Sequence, residues 1–360
     1  MAIADKSKPS LSLVVDNAQP SPARDRRAAN AKPRPTAKAA APPVAQTPVR
    51  ADLPALAPDM TVAAACHTVL RSCFSHLLDN RLPVLKGDDP EAVHQARVAL
   101  RRLRAAIAIF RRIVPGAELA QLGDEARWLA GELGPVRDLD VFLGEIFAPV
   151  AQRLAGETGV AAYRMAGKAM QEQARERARR ALRSRRFRLW RDRFQGWLAA
   201  DIAPPLATAI PSDTAGALFR PVSEFAAETL DRRDRQARRR GRHLAQLPTE
   251  ERHELRLSLK KLRYAAEFFA SAFEAREAKR YVKRLAKLQD GLGYLNDKAV
   301  AQPLMAQIEA RIGEASRELA GDARYVSGLI AGWHEADHET VERALRAAWK
   351  RFDATPGFWR

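Results

Sequence analysis

Acid is what this sequence most conspicuously withholds in one place. From His94 to Arg112 there is no Asp or Glu, although the chain carries 43 of them against 61 Lys and Arg. Cysteine is scarce too. Cys66 and Cys73 lie seven apart, so both fall on one face of a helix, where they read as small core residues. No Cys-x-x-Cys is present, and one helix bearing Cys66, Cys73 and His76 cannot wrap a tetrahedral zinc ion. Two unpaired thiols fit a reducing, cytoplasmic compartment. Long apolar runs are missing. Leu11–Val15 is too short for the core of a secretory signal, and no stretch is long enough to span a bilayer, so no membrane is expected. Missing also are a convincing period-two alternation, which excludes a sheet, and a Gly-x-x-x-x-Gly-Lys-Ser/Thr loop, which argues against a phosphotransferase of that type.

What the chain does have is positive charge, +18 in all. Such a balance calls for an anionic partner: nucleic acid, a phosphate polymer or an acidic surface. The charge is concentrated in the acid-free run. Read as a helix, it puts His94, Arg97, Arg101, Arg104 and Arg112 in an arc about 80° wide and about 27 Å long. Ala96, Leu100, Leu103, Ile107 and Phe110 take the opposite, packing side. A solvated helix face usually mixes signs, since like charges one turn apart repel.

The pattern returns 159 positions later. His253, Arg256, Lys260, Lys261 and Arg263 repeat His94, Arg97, Arg101, Arg102 and Arg104. Leu259, Leu262 and Phe269 repeat Leu100, Leu103 and Phe110, and Leu292, Gly293 and Asp297 repeat Leu133, Gly134 and Asp138. One offset without a gap indicates an internal duplication. The second stripe is less pure, with Tyr264 and Glu267 on its basic side.

Residues 1–58 are Pro/Ala-rich and basic, with too few large apolar residues to offset the entropy of ordering, and are expected to be a disordered tail. Residues 59–360 read as helical, with one half over about 59–203, a joint marked by Pro204, Pro205 and Pro211, and a second half over about 214–360. Asp89 and Pro90 open the basic helix. Gly134-Pro135 and Gly293 are expected to end the helices they lie in, with Asp138 and Asn296 or Asp297 capping the next. Ser184 is a possible break in an Arg-rich run from Ala161 to Leu198, and the last helix is expected over about 324–352. The fold class is all-α, an internally duplicated helical bundle of two four-helix-bundle-like halves.

The run from His94 to Arg104 (His-x-x-Arg-x-x-x-Arg-Arg-Leu-Arg), the run from His253 to Tyr264, and the two Leu-Gly-x-x-x-Asp motifs resemble the CHAD family, the conserved histidine α-helical domain. The resemblance covers about Met60 to Arg360. It implies a basic central groove or channel that binds inorganic polyphosphate, and association with polyphosphate granules; no cofactor is expected. Carried over by motif, the binding residues are His94, Arg97, Arg101 and Arg104 with His253, Arg256, Lys260 and Arg263. Arg102 and Lys261 match the motif but lie about 80° round from the histidines. Lys283 and Lys287, one turn apart, are candidates to extend the surface. Many members carry a triphosphate-tunnel (CYTH) domain upstream. Residues 1–58 lack its Glu-x-Glu-x-Lys strand, so a stand-alone member without that domain's hydrolytic chemistry is expected.

Arg and Lys with Tyr264 as the one interleaved aromatic suit a phosphate chain better than bases, which single-strand binders stack on several aromatic rings. Sequence-blind nucleic-acid binding is the alternative, since phosphate contacts alone support it. His334-Glu335-Ala336-Asp337-His338 matches the zinc-peptidase signature. A third ligand would have to come from Glu339, Glu342 or Asp353, on or just past the same helix, so the match reads as chance. No acid cluster on the stripes is placed to hold Mg²⁺. The expectation is a binding protein, not an enzyme.

Overall fold

The computed structural model describes residues 47–114, 116–200 and 212–360. Among them every repeating element is helical, joined by one isolated bridge between Thr61 and Pro221. α1 (Val62–Lys86) is capped by the Thr61 side chain, which accepts from the Ala64 N–H. α2 (Pro90–Phe110) starts as its sequence dictates: Asp89 accepts from the Glu91 N–H and Pro90 fills the first turn. α3 (Glu118–Val141) runs into a π-helical turn, Phe142–Phe147, and the short α4 (Ala148–Arg153). α5 (Thr158–Arg183) and α6 (Arg185–Ala199) meet at Ser184, whose hydroxyl caps α6 at Phe187 N. After α7 (Ser212–Phe219) come α8 (Val222–Gly241), α9 (Thr249–Phe269), α10 (Ala275–Ala315), α11 (Leu319–Glu335) and α12 (His338–Asp353).

Two expected helix ends are absent. α3 passes straight through Gly134-Pro135, and α10 through both Gly293 and Pro303. An interior proline costs roughly 3 kcal/mol. In α3, Leu129, Leu133, Val136 and Leu139 are all buried along one stripe while Pro135 faces solvent. Each such burial contributes about 1.5–3 kcal/mol, so the stripe outweighs the break. Asp138 and Asp297 are therefore interior residues, not caps. Conversely, the expected last helix is interrupted at Ala336-Asp337, between α11 and α12.

The core does not divide at the joint between the expected halves, part of which (201–211) lies outside the described residues. One large cluster runs from α1, α2 and α3 through α6 and α8 to α9 and the start of α10. A smaller one joins the π-helical turn and α5 to the later part of α10 and α11, with Phe142, Phe147, Tyr163, Ile308 and Ile330 at its centre.

The expected tail also ends earlier than 58. Residues 47–58 are seated on the bundle, and residues 1–46 lie outside the described residues. Val49 N–H donates to Asn80 Oδ1 at 3.0 Å, and Asn80 Nδ2 returns a bond to Val49 O at 2.8 Å. Leu56 is 3% exposed and its N–H donates to Ser271 Oγ at 2.8 Å. A few side-chain anchors thus hold a segment whose composition reads as unstructured. No helix among the described residues is long and apolar enough to cross a membrane.

Candidate functional site

α2 and α9 carry the two basic stripes, and they pack against each other. Arg101 Nε donates to Tyr264 OH at 3.1 Å, Arg102 Nη1 to Glu267 Oε2 at 3.1 Å, and the Phe110 and Phe269 rings lie 6.3 Å apart. The paired positions rise together along both helices, so the two run in the same sense. Their apolar sides are buried: Leu100, Leu103 and Phe110 on α2, Leu259, Leu262 and Phe269 on α9.

Beside this contact lies a cavity of about 330 Å³. α2 supplies Arg101, Arg104 and, at its C-cap, Arg111, α3 supplies Arg127, α8 supplies Arg233, and α9 supplies Lys260, Lys261 and Tyr264. Asp124 is the one carboxylate in the lining, and Arg127 already holds it at 2.7 Å. Arg104 makes no ion pair among the described residues. Burial and Arg127 lower its pKa. Burial likewise lowers that of Arg233, to about 10, helped by Arg232 and Arg112.

The effect is largest on Lys260. Burial, then Arg256 and Arg101, bring its pKa down to about 7, against the pull of Asp297 and with a further push from Arg97. Burial disfavours the ammonium first, and the neighbouring guanidinium groups add to it. The two equivalent arginines add to this. The Nε atoms of Arg97 and Arg256 are both buried without a hydrogen-bond partner, an omission that costs about 1–3 kcal/mol for a buried donor.

Arg97 leans on α3. Its Nη1 donates to Ala130 O at 3.3 Å, and Nη2 lies 4.0 Å from Asp138. Gly134 permits this approach, since a Cβ there would sit 3.1 Å from the guanidinium. The Leu-Gly-x-x-x-Asp motif of the first half therefore seats an arginine rather than ending a helix. Burial raises the Asp138 pKa, Arg97 opposes the rise, and Asp297 reinforces it. Asp138 thus feels the charge of the second motif acid.

Of the remaining residues singled out from sequence, His94 is half-buried, and burial, then Arg137, favour its neutral ring. His253 is exposed and lies in a different cavity together with Arg256. Arg102 leaves the candidate set: it is 4% exposed, paired with Glu267 and lying over the Phe268 ring, with Nη2 donating to Asp52 O at 3.4 Å. Arg263 is held by Glu267 at 2.7 Å and Gln289 at 3.2 Å. Lys283 and Lys287 are exposed on α10 and line neither cavity. Sequence reasoning missed Arg111, Arg127 and Arg233 as cavity residues. They come from other helix faces and other helices, and only tertiary packing collects them.

The zinc-peptidase match dissolves in the geometry. His334 lies in the last turn of α11 and His338 opens α12, so no single helix presents both. The His334 Nε2–H donates to Ile146 O at 2.8 Å, which leaves Nδ1 to accept from Tyr294 OH at 3.2 Å. Both ring nitrogens are spoken for.

Comparison with known proteins agrees with the resemblance. The family model described as the CHAD domain matches residues 68–306, from within α1 to within α10, and so includes both basic helices but stops short of α11 and α12. The crystal structure of the CHAD domain from the plant Ricinus communis is 26% identical, with a TM-score of 0.68 over 84% of this chain and 96% of that one. PptA from Streptomyces chartreusis shares the fold at 19% identity, with a TM-score of 0.57 over 81% of this chain and 100% of that one. Among curated proteins none matches. With the family model spanning well over half of it, the chain belongs to the CHAD domain family.

Proposed function

We propose that the protein binds inorganic polyphosphate in the cavity between α2 and α9, without chemistry. The observation that carries this reading is the cation cluster of Arg101, Arg104, Arg111, Arg233, Lys260 and Lys261, whose one neighbouring carboxylate, Asp124, is spent on Arg127. The association of the CHAD family with polyphosphate supports it. A phosphate chain brings charge on every unit and needs no readout beyond donors. Arg supplies forks of donors for two oxygens and Lys a point charge. With Asp124 paired to Arg127, the lining offers donors for anions rather than carboxylates for a divalent ion, which supports a binding role. The duplicated stripes account for the meeting of Arg101 with Lys260, 159 positions apart. Localisation to polyphosphate granules follows from such affinity.

The sequence-blind nucleic-acid reading is less well served. The cavity offers one aromatic, Tyr264, and its hydroxyl is bonded to Arg101, whereas single-strand binders use several stacking rings.

Charge reversal of Arg101, Arg104, Lys260 and Lys261 together tests the reading. Each charge-assisted contact is worth roughly 1.5–3 kcal/mol, so polyphosphate affinity should fall at least about a hundredfold while helicity by circular dichroism is kept. A tagged copy of the variant should also leave granules. Undiminished binding by a folded variant refutes the assignment. Displacement of long-chain polyphosphate by DNA at equal phosphate concentration favours the alternative.

A further inference from the structure

α9 walls two cavities, not one. Lys260 and Lys261 face the cationic cavity. Arg256, one turn earlier, lines a second, of about 460 Å³. Its lining differs in kind. Leu292, Leu295, Met305 and Ile330 give it an apolar floor between α9, α10 and α11. A bare phosphate chain gains nothing from such a floor. The volume falls in the range of small-molecule sites, which combine apolar walls with a few placed polar groups.

Those polar groups sort into engaged and free. Arg252 is bound to Glu342, Lys298 to Glu335, and His334 to Ile146 and Tyr294. Arg256, His253 and Gln302 make no hydrogen bond among the described residues, and the Arg256 Nε is buried without a partner. A guanidinium with no hydrogen bond among the described residues, with Asp297 the carboxylate that acts on it, thus stands at the edge of an apolar pocket, on the side that leads along α9 to Lys260. The ligand such a pocket fits is anionic at one end and organic at the other. The side-chain amide of Gln302, and that of Asn296 beyond its one 3.4 Å bond to Asp297, offer donors and acceptors that a nucleobase or ribose can use and an acyl chain cannot.

We propose that this second cavity holds the nucleoside of a nucleoside oligophosphate whose phosphates lie on Arg256, Lys260 and Arg101. The proposal rests on the reading of the cationic cavity as a phosphate site. It adds a prediction that reading does not make: an organic cap on a short phosphate chain should improve binding.

Calorimetry with the full chain decides it, comparing ATP and GTP with inorganic triphosphate, all without divalent metal. At least one nucleotide should bind about tenfold tighter than inorganic triphosphate, a step of one decade in affinity. Ala299 lines the rim and is exposed, so Ala299→Trp should fold, erase the nucleotide's advantage and leave inorganic triphosphate unchanged. Gln302→Leu should reduce the advantage without adding bulk. Equal affinity for capped and uncapped triphosphate overturns the proposal and leaves polyphosphate binding standing. So does a folded Ala299→Trp that weakens both ligands alike. Loss of all three ligands and of long-chain polyphosphate as well removes both readings.

Discussion

α2 and α9 carry the same motif in different surroundings, and the difference lies chiefly in one acid. Glu267, on α9, occupies the position that Ala108 holds on α2. It accepts from Arg102 of α2 and from Arg263 of its own helix, and so removes one motif cation from each helix. What remains is complementary. α2 keeps Arg101 and Arg104 for the cationic cavity, and α9 keeps Lys260 and Lys261. The equivalent arginines diverge as well: Arg97 is drawn onto α3 beside Gly134, while Arg256 opens into the apolar pocket. Residues at matching motif positions thus need not do matching work. A basic motif residue is available to an anion only where no carboxylate has already claimed it.

The largest effect should come from breaking the Glu267 junction. Removing one partner of a buried ion pair costs about 3–5 kcal/mol, because the other charge is left stranded. Glu267→Ala should therefore lower stability by that order in chemical denaturation. Replacing Arg102 and Glu267 together with Met should recover most of the loss. Polyphosphate affinity of the folded double variant should stay close to that of the parent. If affinity instead falls as it does for the cavity residues, Arg102 reaches the ligand and its reading as a strut is wrong.

A smaller effect sharpens the comparison from the ligand's side. Arg104 and Arg263 occupy the same motif position, yet the first lines the cavity without an ion pair and the second is tied to Glu267 and Gln289. Arg104→Met should weaken polyphosphate binding by about tenfold, one charge-assisted contact of roughly 1.5 kcal/mol. Arg263→Met should leave binding unaltered and cost some stability. Titrations of both variants at one salt concentration check this, since affinities for polyanions shift with salt. The reverse order of effects would mean that motif position, not carboxylate pairing, decides which arginine binds.

Much of this was legible before the fold. Asp89-Pro90, Ser184 and the apolar stripes marked real elements, because caps and periodicity act over one or two turns of chain. Gly134-Pro135 misled because its local signal for a helix end competes with buried Leu133, Val136 and Leu139, whose weight depends on what packs against them. The seat that Gly134 gives Arg97 is likewise a contact between helices, and sequence spacing does not reveal it. The same holds for the site. The stripes pointed to Arg101, Arg104 and Lys260, but the contributions of Arg127 from α3 and Arg233 from α8 exist only once the bundle closes.

The smallest effect concerns Lys260, where the fields of both basic helices meet. Lys260 is largely shielded from water and stands among Arg256, Arg101 and Arg97 with Asp297 opposing them, so burial first and the cations second bring its pKa from 10.5 to about 7. In the free protein the amine is therefore charged below about pH 7 and neutral above it. Phosphates placed beside it favour the ammonium and raise its pKa. Between those limits binding must take up a proton, of up to one per site, and affinity should decline as pH rises above about 7. The stability consequence has the opposite sense. From pH 7 to 10.5 the unfolded chain holds a proton that the folded chain has lost, so this residue's contribution makes the free protein more stable with rising pH. Lys260→Met should abolish both trends. Calorimetry near pH 8 in buffers of different ionisation enthalpy reads the uptake directly, and denaturation of the ligand-free protein across the same window reads the stability. His94, held neutral by burial and Arg137, adds uptake only at lower pH, so the two groups separate along the pH axis. An affinity that stays flat through pH 7 to 9 would place the phosphate chain away from Lys260, and with it away from the meeting point of the two basic helices.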